Sequence, residues 1–91
     1  GNLHPKILFD ADDPAEERAA LEVAHDILRV CLRLGGTLSG EHGIGLEKRS
    51  LMPELFAPED LAWMERLRRA FDPDGRLNPG KILPDAEGAS P

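Results

Sequence analysis

The stretch Asp12-Asp13-Pro14-Ala15-Glu16-Glu17 predicts the start of a helix, the element around which the rest of this chain is arranged. An aspartate caps the free N–H groups of a first turn, proline is tolerated at the first helical position, and acidic side chains face the positive end of the helix dipole. Apolar residues then recur at three- and four-residue steps to about Leu34, and Gly35-Gly36 is typical of a left-handed cap. The predicted apolar stripe consists of Ala20, Val23, Ala24, Ile27, Cys31 and Leu34.

Upstream of that helix, residues 3–10 alternate in side-chain character, which predicts a strand with one buried face. Pro5 lacks an N–H donor and favours an edge position for this strand. Residues 37–39 form a second, shorter β-prone stretch after the helix. We therefore expect an α+β fold. Because a domain rarely opens with its core strand, we also expect the natural chain to extend upstream.

Downstream of the glycine cap, residues 46–56 are helical in pattern but contain Pro53. Proline inside a helix removes a hydrogen bond and clashes with the preceding turn, so the pattern predicts one or two short turns. Pro58-Glu59-Asp60 then opens a second helix, which should end near Asp72.

Two turns follow this second helix, Asp72-Pro73-Asp74-Gly75 and Asn78-Pro79-Gly80-Lys81. The last residues are small and polar, which is typical of a disordered end. The sequence therefore predicts one folded portion over residues 1–84 and a disordered tail over residues 85–91.

Length and charge exclude several classes of protein. A chain of 91 residues forms one small domain at most, and its net charge of -6 argues against a nucleic-acid partner, which requires clustered Lys and Arg. No apolar run approaches the ~20 residues that span a bilayer, and residues 1–4 do not resemble a secretory leader. The single Cys31 cannot form an internal disulfide, which suits a buried thiol in a reducing compartment.

The segment Ser39-Gly40-Glu41-His42-Gly43-Ile44-Gly45 carries the strongest chemical signal, because a carboxylate and an imidazole lie side by side among glycines. Glutamate supplies an oxygen ligand to a divalent metal, and histidine supplies nitrogen or accepts a proton near neutral pH. The alternative is an ordinary turn whose Glu41 and His42 are merely exposed. Both interpretations remain open at this stage.

Two further histidines are weighed in the same way. His4 projects from the predicted strand on the same face as Lys6, and it would join Glu41 if the two β-prone stretches paired. Its alternative is a structural histidine. His25 lies beside Asp26 on the polar side of the predicted helix, which favours solvated surface. The chain has neither a G-x-G-x-x-G nor a C-x-x-C motif, so nothing indicates a dinucleotide fold or a zinc ribbon.

Three motifs read in order, Gly1–Pro5, Ser39–Gly45 and Phe71–Lys81, make the chain resemble the C-terminal domain of FAD-linked oxidases. The resemblance extends from Gly1 to about Pro84. It is strongest to glycolate oxidase flavin subunits, followed by D-lactate and D-2-hydroxyglutarate dehydrogenases. It implies the C-terminal part of an antiparallel-sheet cap domain with two main helices and an extended tail, in a longer protein whose missing upstream domain binds most of the FAD.

The resemblance also implies a reaction, the oxidation of a small 2-hydroxy acid to the 2-oxo acid by hydride transfer to FAD. Residue by residue, His4 and Glu41 resemble ligands of a divalent metal such as zinc or manganese, and His42 resembles the base. Asn78 and Lys81 match a tail motif that lies near the flavin. We expect this fragment alone to be inactive.

One position departs from part of the family. Lys6 stands where the hydroxyglutarate-type relatives resemble an asparagine near the substrate, which favours glycolate or lactate over hydroxyglutarate as the substrate. Lys6 either pairs with a substrate carboxylate or points away at an edge of the strand.

Expected partners also follow from the resemblance, which implies an iron–sulfur partner subunit and a cytoplasmic enzyme associated with the membrane through a complex. A homodimer of the fragment by exchange of unpaired strands is a further expectation. The alternative function is a non-catalytic interaction or oligomerisation module that buries the apolar stripe of the first helix.

Overall fold

A computed structural model describes residues 1–85 of the chain, and within them the regular structure is helical. Helix α1 spans Pro14–Arg33. A 3₁₀ turn at Arg49–Leu51 leads directly into the short helix α2, Met52–Leu55. Helix α3 spans Pro58–Phe71. Both long helices and the short turns around Pro53 lie where the sequence predicts them.

The two ends of α1 are fixed by local interactions. The side chain of Asp13 accepts a hydrogen bond from the N–H of Ala15 at 3.0 Å, which satisfies one free donor of the first turn. At the other end Gly35 adopts a φ of 84°, and the N–H of Gly36 donates to the carbonyl of Cys31 at 2.8 Å. The aspartate cap and the glycine cap are therefore confirmed.

The buried side of α1 is rotated relative to the predicted stripe. Ala20 is buried and Cys31 is half-buried, but Val23 is 47% exposed and Leu34 is 82% exposed. Leu28 and Leu32, which the predicted stripe omits, pack against the core instead. The prediction holds for Ala20, Ala24, Ile27 and Cys31, which are buried or half-buried, and is wrong for Val23 and Leu34. Helical periodicity defines a face but not the neighbour that covers it.

Helix α3 begins with a partial capping arrangement. The Asp60 carboxylate accepts a hydrogen bond from the N–H of Ala57 at 3.2 Å. On the inward side of this helix Leu61 and Met64 pack against the core, whereas Leu67 and Phe71 are exposed.

The predicted sheet is wrong, because residues 1–85 contain no strand. Residues 1–10 lie as an irregular segment along the loop that follows α1, with Leu3 and Leu8 exposed and Ile7 only half-buried. A strand exists only through ladder hydrogen bonds to a second strand, and alternation of side chains cannot supply that partner. Residues 37–39 likewise form a bend beside this segment rather than a paired strand. The antiparallel-sheet α+β class is thereby replaced by helices joined by irregular segments in the described part.

The core is small and is formed by residues far apart in the chain. Leu38 and Leu51 are each 1% exposed, Met52 is 4% exposed and Leu83 is 8% exposed. Together they join the loop after α1, the 3₁₀ turn, α2 and the end of the described chain. This core consequently sets the distance between the loop and the tail.

Among residues 1–85, no helix is both long enough and apolar enough to cross a bilayer. The predicted disordered tail falls mostly outside the described residues, at positions 86–91, and stays a prediction there. Asp85, its first residue, pairs with the guanidinium of Arg49.

Candidate functional site

His4, Glu41 and His42 come together in space although the chain separates His4 from the other two. The Nδ1 atom of His4 lies 3.4 Å from Oε1 of Glu41, and Nε2 of His42 lies 3.5 Å from the same oxygen. The two imidazole rings meet edge to face, with centroids 4.5 Å apart and planes at 83°. The structure therefore brings the two predicted metal ligands and the predicted base to a single carboxylate.

The loop that carries Glu41 and His42, residues 39–45, is here called the site loop. Its bends fall at Gly43 and Gly45, whose φ values of 80° and 52° lie in the left-handed region that glycine adopts without steric cost. The N–H of Gly43 donates to Oγ of Ser39 at 2.7 Å, which closes the turn across Glu41 and His42. The sequence Ser-Gly-Glu-His-Gly thus encodes a tight turn that leaves both ionisable side chains on one side.

His4 reaches this turn because the first segment lies directly against the site loop. A methyl group added at Gly40 would clash with the side-chain Oδ1 of Asn2, so the two segments are in close contact at this point. The pairing of His4 with Glu41 was expected from strand pairing. It arises instead from an irregular segment held against a glycine.

The cluster can hold a divalent cation by the chemistry of its donors. One ligand atom from each of the three residues lies within 4.8 Å of the other two, the sole such group within residues 1–85. A zinc or manganese ion about 2.0–2.2 Å from each ligand atom places those atoms about 3–3.5 Å apart, close to the two distances to Glu41. The side chains are 51–58% exposed, so an ion and a substrate have open access. His4 and His42 lie at nearly equal distances from Glu41, and either imidazole can bind an ion or accept a proton.

A cavity of about 460 Å³ adjoins the cluster. Apolar residues of α1 and of the start of the chain line it, together with Leu38. His4, Glu41 and His42 also line it, and so does Lys48, which is half-buried. Lys6 does not line this cavity and is exposed, which favours the second of its two interpretations, a side chain that points away.

Asn78 and Lys81, the predicted flavin contacts, are not brought to the cluster within the described chain. They belong to the segment 72–85, here called the tail, and neither lines the cavity beside the cluster. The tail nonetheless touches the site loop, since the N–H of Ile82 donates to the carbonyl of Gly45 at 2.8 Å. The role of Asn78 and Lys81 at the flavin stays a prediction.

The tail is held by arginines. The guanidinium of Arg68, on α3, donates to the carbonyls of Asn78 at 3.1 Å and of Leu77 and Lys81 at 3.4 Å each. Arg49 donates to the carbonyl of Leu83 at 2.6 Å. These donors fix the path of the turn that carries Asn78 and Lys81.

Asp72 begins the tail and organises its first turn. Its carboxylate accepts hydrogen bonds from the N–H groups of Leu77 and Arg76, each at 2.9 Å. These bonds, aided by the nearby charge of Arg68, lower the pKa of Asp72 below its ordinary value, against an opposing effect of partial burial. The carboxylate therefore remains ionised in the fold.

Sequence reasoning missed two residues that this arrangement uses, Lys48 and Arg68. The pattern offered only weak signals for them. Lys48 stands shortly after the glycine-rich turn, and Arg68 stands on the polar side of α3 between Arg66 and Arg69. Their roles depend on which segment packs beside them, and local patterning does not encode this.

Residues 1–82 match the family described as FAD linked oxidases, C-terminal domain, and the chain belongs to that family. The resemblance drawn from the three motifs is thereby confirmed.

The chain is also similar in sequence to three named enzymes. Over 84 residues, 92% of the chain, it is 49% identical to the glycolate oxidase subunit GlcD of Escherichia coli (strain K12). Over the same share it is 34% identical to the mitochondrial D-lactate dehydrogenase (cytochrome) of Arabidopsis thaliana and 38% identical to the D-2-hydroxyglutarate dehydrogenase of Escherichia coli (strain K12). The chain spans only 17%, 15% and 8% of the length of these three relatives.

Proposed function

We propose that this chain is the C-terminal segment of a longer flavoprotein, here called the full-length flavoprotein, that oxidises a small 2-hydroxy acid to the 2-oxo acid. The observation that carries the proposal is the convergence of His4, Glu41 and His42 beside a cavity, in a chain 49% identical to a glycolate oxidase subunit. The chain alone holds too little of such an enzyme to act by itself.

In this proposal His4 and Glu41 hold a divalent metal such as zinc or manganese, and FAD is bound mainly by the upstream part of the protein. When bound, the cation would lower the pKa of a hydroxyl group that it coordinates, and FAD would supply hydride acceptance. The residues of this chain then have separate tasks. Glu41 supplies negative charge that favours a cation, and the cavity between α1 and the site loop receives the small substrate.

His42 is proposed as the base that removes the hydroxyl proton. An imidazole ordinarily titrates near neutral pH, which suits it to accept a proton and release it to solvent. His42 would accept the O–H proton while the C2 hydrogen leaves with its electron pair, which bound FAD would accept, so that a C=O bond forms. The contact of His42 with Glu41 at 3.5 Å holds the ring beside the metal position.

The tail extends the proposal to the cofactor. Asn78 and Lys81 contact the flavin in this proposal, and the arginine contacts to the tail carbonyls hold them in place. The similarity to a glycolate oxidase subunit and to a D-lactate dehydrogenase favours glycolate or D-lactate as the substrate. We also propose that the full-length flavoprotein has an iron–sulfur partner subunit. In this proposal the enzyme is cytoplasmic and is associated with the membrane through a complex.

The test is oxidation of glycolate and D-lactate by the full-length flavoprotein, loaded with FAD and metal, in wild type and in His42→Ala. We expect kcat to fall by about 10²–10⁴-fold, the contribution of a positioned acid–base group, with FAD still bound. The matched control is His25→Ala, because His25 lies on α1 outside the cavity, and its kcat should equal that of the wild type.

Two results would contradict parts of this proposal. Unchanged turnover in His42→Ala would remove His42 as the base. A wild-type protein that binds FAD and metal yet oxidises neither acid would remove the function itself.

A non-catalytic interaction module is the second candidate function, and one observation favours it. Large apolar side chains at the C-terminal ends of both long helices are exposed, among them Leu34, which caps α1, at 82% and Phe71 at 81%. In this alternative they pack against a second copy of the chain. A monomeric mass by light scattering at high concentration would argue against it.

A further inference from the structure

A carboxylate that enters the cavity beside the cluster would be stabilised by positive charge close to it. The divalent metal proposed at His4 and Glu41 would supply one such charge, and a cation of the chain itself would supply a second. Within residues 1–85, Lys48 is the only lysine or arginine among the residues that line this cavity.

Lys48 is fixed on its backbone by hydrogen bonds on both sides. Its N–H donates to the carbonyl of Ile44 at 3.2 Å, and its carbonyl accepts from the N–H of Leu51 at 3.0 Å. Leu51 is one of the two most buried residues of the core. The root of the Lys48 side chain is therefore anchored to the core and cannot drift away from the cavity.

The ammonium group of Lys48 is not neutralised by the described chain. Among residues 1–85 no carboxylate lies within 4.0 Å of it, although seven other pairs meet that distance. The adjacent cation, Arg49, turns the other way, where it donates to the carbonyl of Leu83 and pairs with Asp85. Arg49 therefore contacts the tail, whereas the neighbouring Lys48 lines the cavity.

We infer that Lys48 binds the carboxylate of the 2-hydroxy acid and so determines that the site takes an anionic substrate. This inference rests on the proposed function and names the residue that recognises the substrate. A lysine suits the task because its ammonium is a compact charge on a flexible stem, able to meet a carboxylate in a half-buried site. Lys6, exposed and outside the cavity, does not take this role.

The experiment compares kcat and KM for D-lactate and glycolate in the full-length flavoprotein with FAD and metal bound. The variants are Lys48→Met, which keeps the length of the stem without the charge, and Lys48→Arg, which keeps the charge. We expect Lys48→Met to raise KM about 10–100-fold, the effect of losing one charged hydrogen bond, with kcat within a few-fold of wild type. Lys48→Arg should stay within about fivefold in KM, and the control Lys6→Met should match the wild type.

A packing role for the stem would not separate the methionine and arginine variants in this way. An unchanged KM in Lys48→Met, or a rise in KM that Lys48→Arg shares in full, would overturn the inference. If Lys48→Met does not retain FAD, Lys48→Gln is the second neutral variant and is judged by the same criterion. In those outcomes the wild type still oxidises the acids and the proposed function stands. If the wild type oxidises neither acid, the proposed function fails and the role of Lys48 falls with it.

Discussion

The site loop and the tail are held in place by opposite means. The site loop bends at Gly43 and Gly45, and its ionisable side chains contact one another while remaining more than half exposed. In the tail, charged side chains bind backbone instead, with Arg68 donating to carbonyls and Asp72 accepting from N–H groups. Charges that contact backbone fix a path, whereas charges that contact each other in the open can still receive a ligand.

The backbone conformations of the site loop and the tail also differ. Glycine takes the left-handed region at no steric cost, so the bends of the site loop are determined locally. The tail places Ile82 at a φ of 69°, where a β-branched residue carries about 1–3 kcal/mol of strain. Contacts to other segments must offset this strain, and Ile82 bonds the carbonyl of Gly45 while Arg68 bonds the carbonyl of Lys81. The tail therefore depends on its neighbours more than the site loop does.

The largest effect is expected from Leu51→Ala, because the core joins both regions through Leu38 and Leu83. Removing a fully buried leucine leaves a cavity and lowers the free energy of unfolding by about 2–5 kcal/mol. Urea unfolding followed by circular dichroism measures it. The control Leu34→Ala, at a side chain that is 82% exposed, should change it by less than about 0.5 kcal/mol. Equal losses in the two variants would show that this core does not join the regions.

Glu41→Gln should disturb the site loop and leave the tail intact. Loss of the charged oxygen between the two imidazoles lowers the affinity for Zn²⁺ or Mn²⁺ on the order of 100-fold, the upper end of the loss seen when partners of metal ligands are removed. Titration calorimetry measures the affinity, and amide exchange at Ile82 should not change. Glu47→Gln is the control, since Glu47 lies outside the cluster. The same affinity in Glu41→Gln and Glu47→Gln would exclude a metal at this cluster.

Arg68→Met should have the reverse effect, releasing the tail and sparing the cluster. It removes three donations to tail carbonyls, which lowers the free energy of local opening by about 1–3 kcal/mol. Hydrogen exchange of the peptide covering residues 77–83 should accelerate, while metal affinity stays constant. The control is Arg66→Met, because the guanidinium of Arg66 lies 4.3 Å from the ring centroid of Trp63, away from the tail. Unchanged exchange in Arg68→Met would mean that the tail is held by other contacts.

The smallest effect is expected at Asp72, which should make the free energy of unfolding depend on pH. Its folded pKa is lowered, so its contribution to stability is present above its ordinary value of 3.8 and is lost as the pH falls through the lower folded value. Asp72→Asn should therefore be less stable than the wild type at pH 7, with a gap that narrows below about pH 4. Unfolding curves at both pH values measure the gap. Asp74→Asn, at an exposed carboxylate, should show no such narrowing, and a gap for Asp72→Asn that is independent of pH would contradict the assignment.

Local signals predicted the helices, and long-range contacts explain the errors. Asp13 and Gly35 mark the ends of α1 correctly because caps depend on a few adjacent residues. The predicted strand failed because ladder partners are not encoded in the segment itself. Val23 and Leu34 face solvent although periodicity placed them on the apolar stripe, because periodicity does not identify the segment that covers a helix.

The candidate site was predictable in its members but not in its assembly. Glu41 and His42 were candidates because glycines frame them, and His4 was a candidate from its face of the predicted strand and from resemblance to the family. Their convergence on one oxygen accompanies the close approach of Asn2 to Gly40, and neither segment has a pattern that predicts this contact. Lys48 and Arg68 belong to no motif, because a cation of this kind acquires a function only from the segments that pack beside it.

The sequence by itself determined the helix boundaries, the glycine bends of the site loop and membership of the FAD-linked oxidase family. These properties depend on residues within a few positions of one another, or on motifs in a set order. Only the tertiary structure decided which side of α1 is buried, that His4 meets Glu41, and that Lys48 faces the cavity while Arg49 faces the tail. Those outcomes are set by contacts between distant segments through a core of four buried residues, and the energy of such contacts cannot be assigned to any one segment.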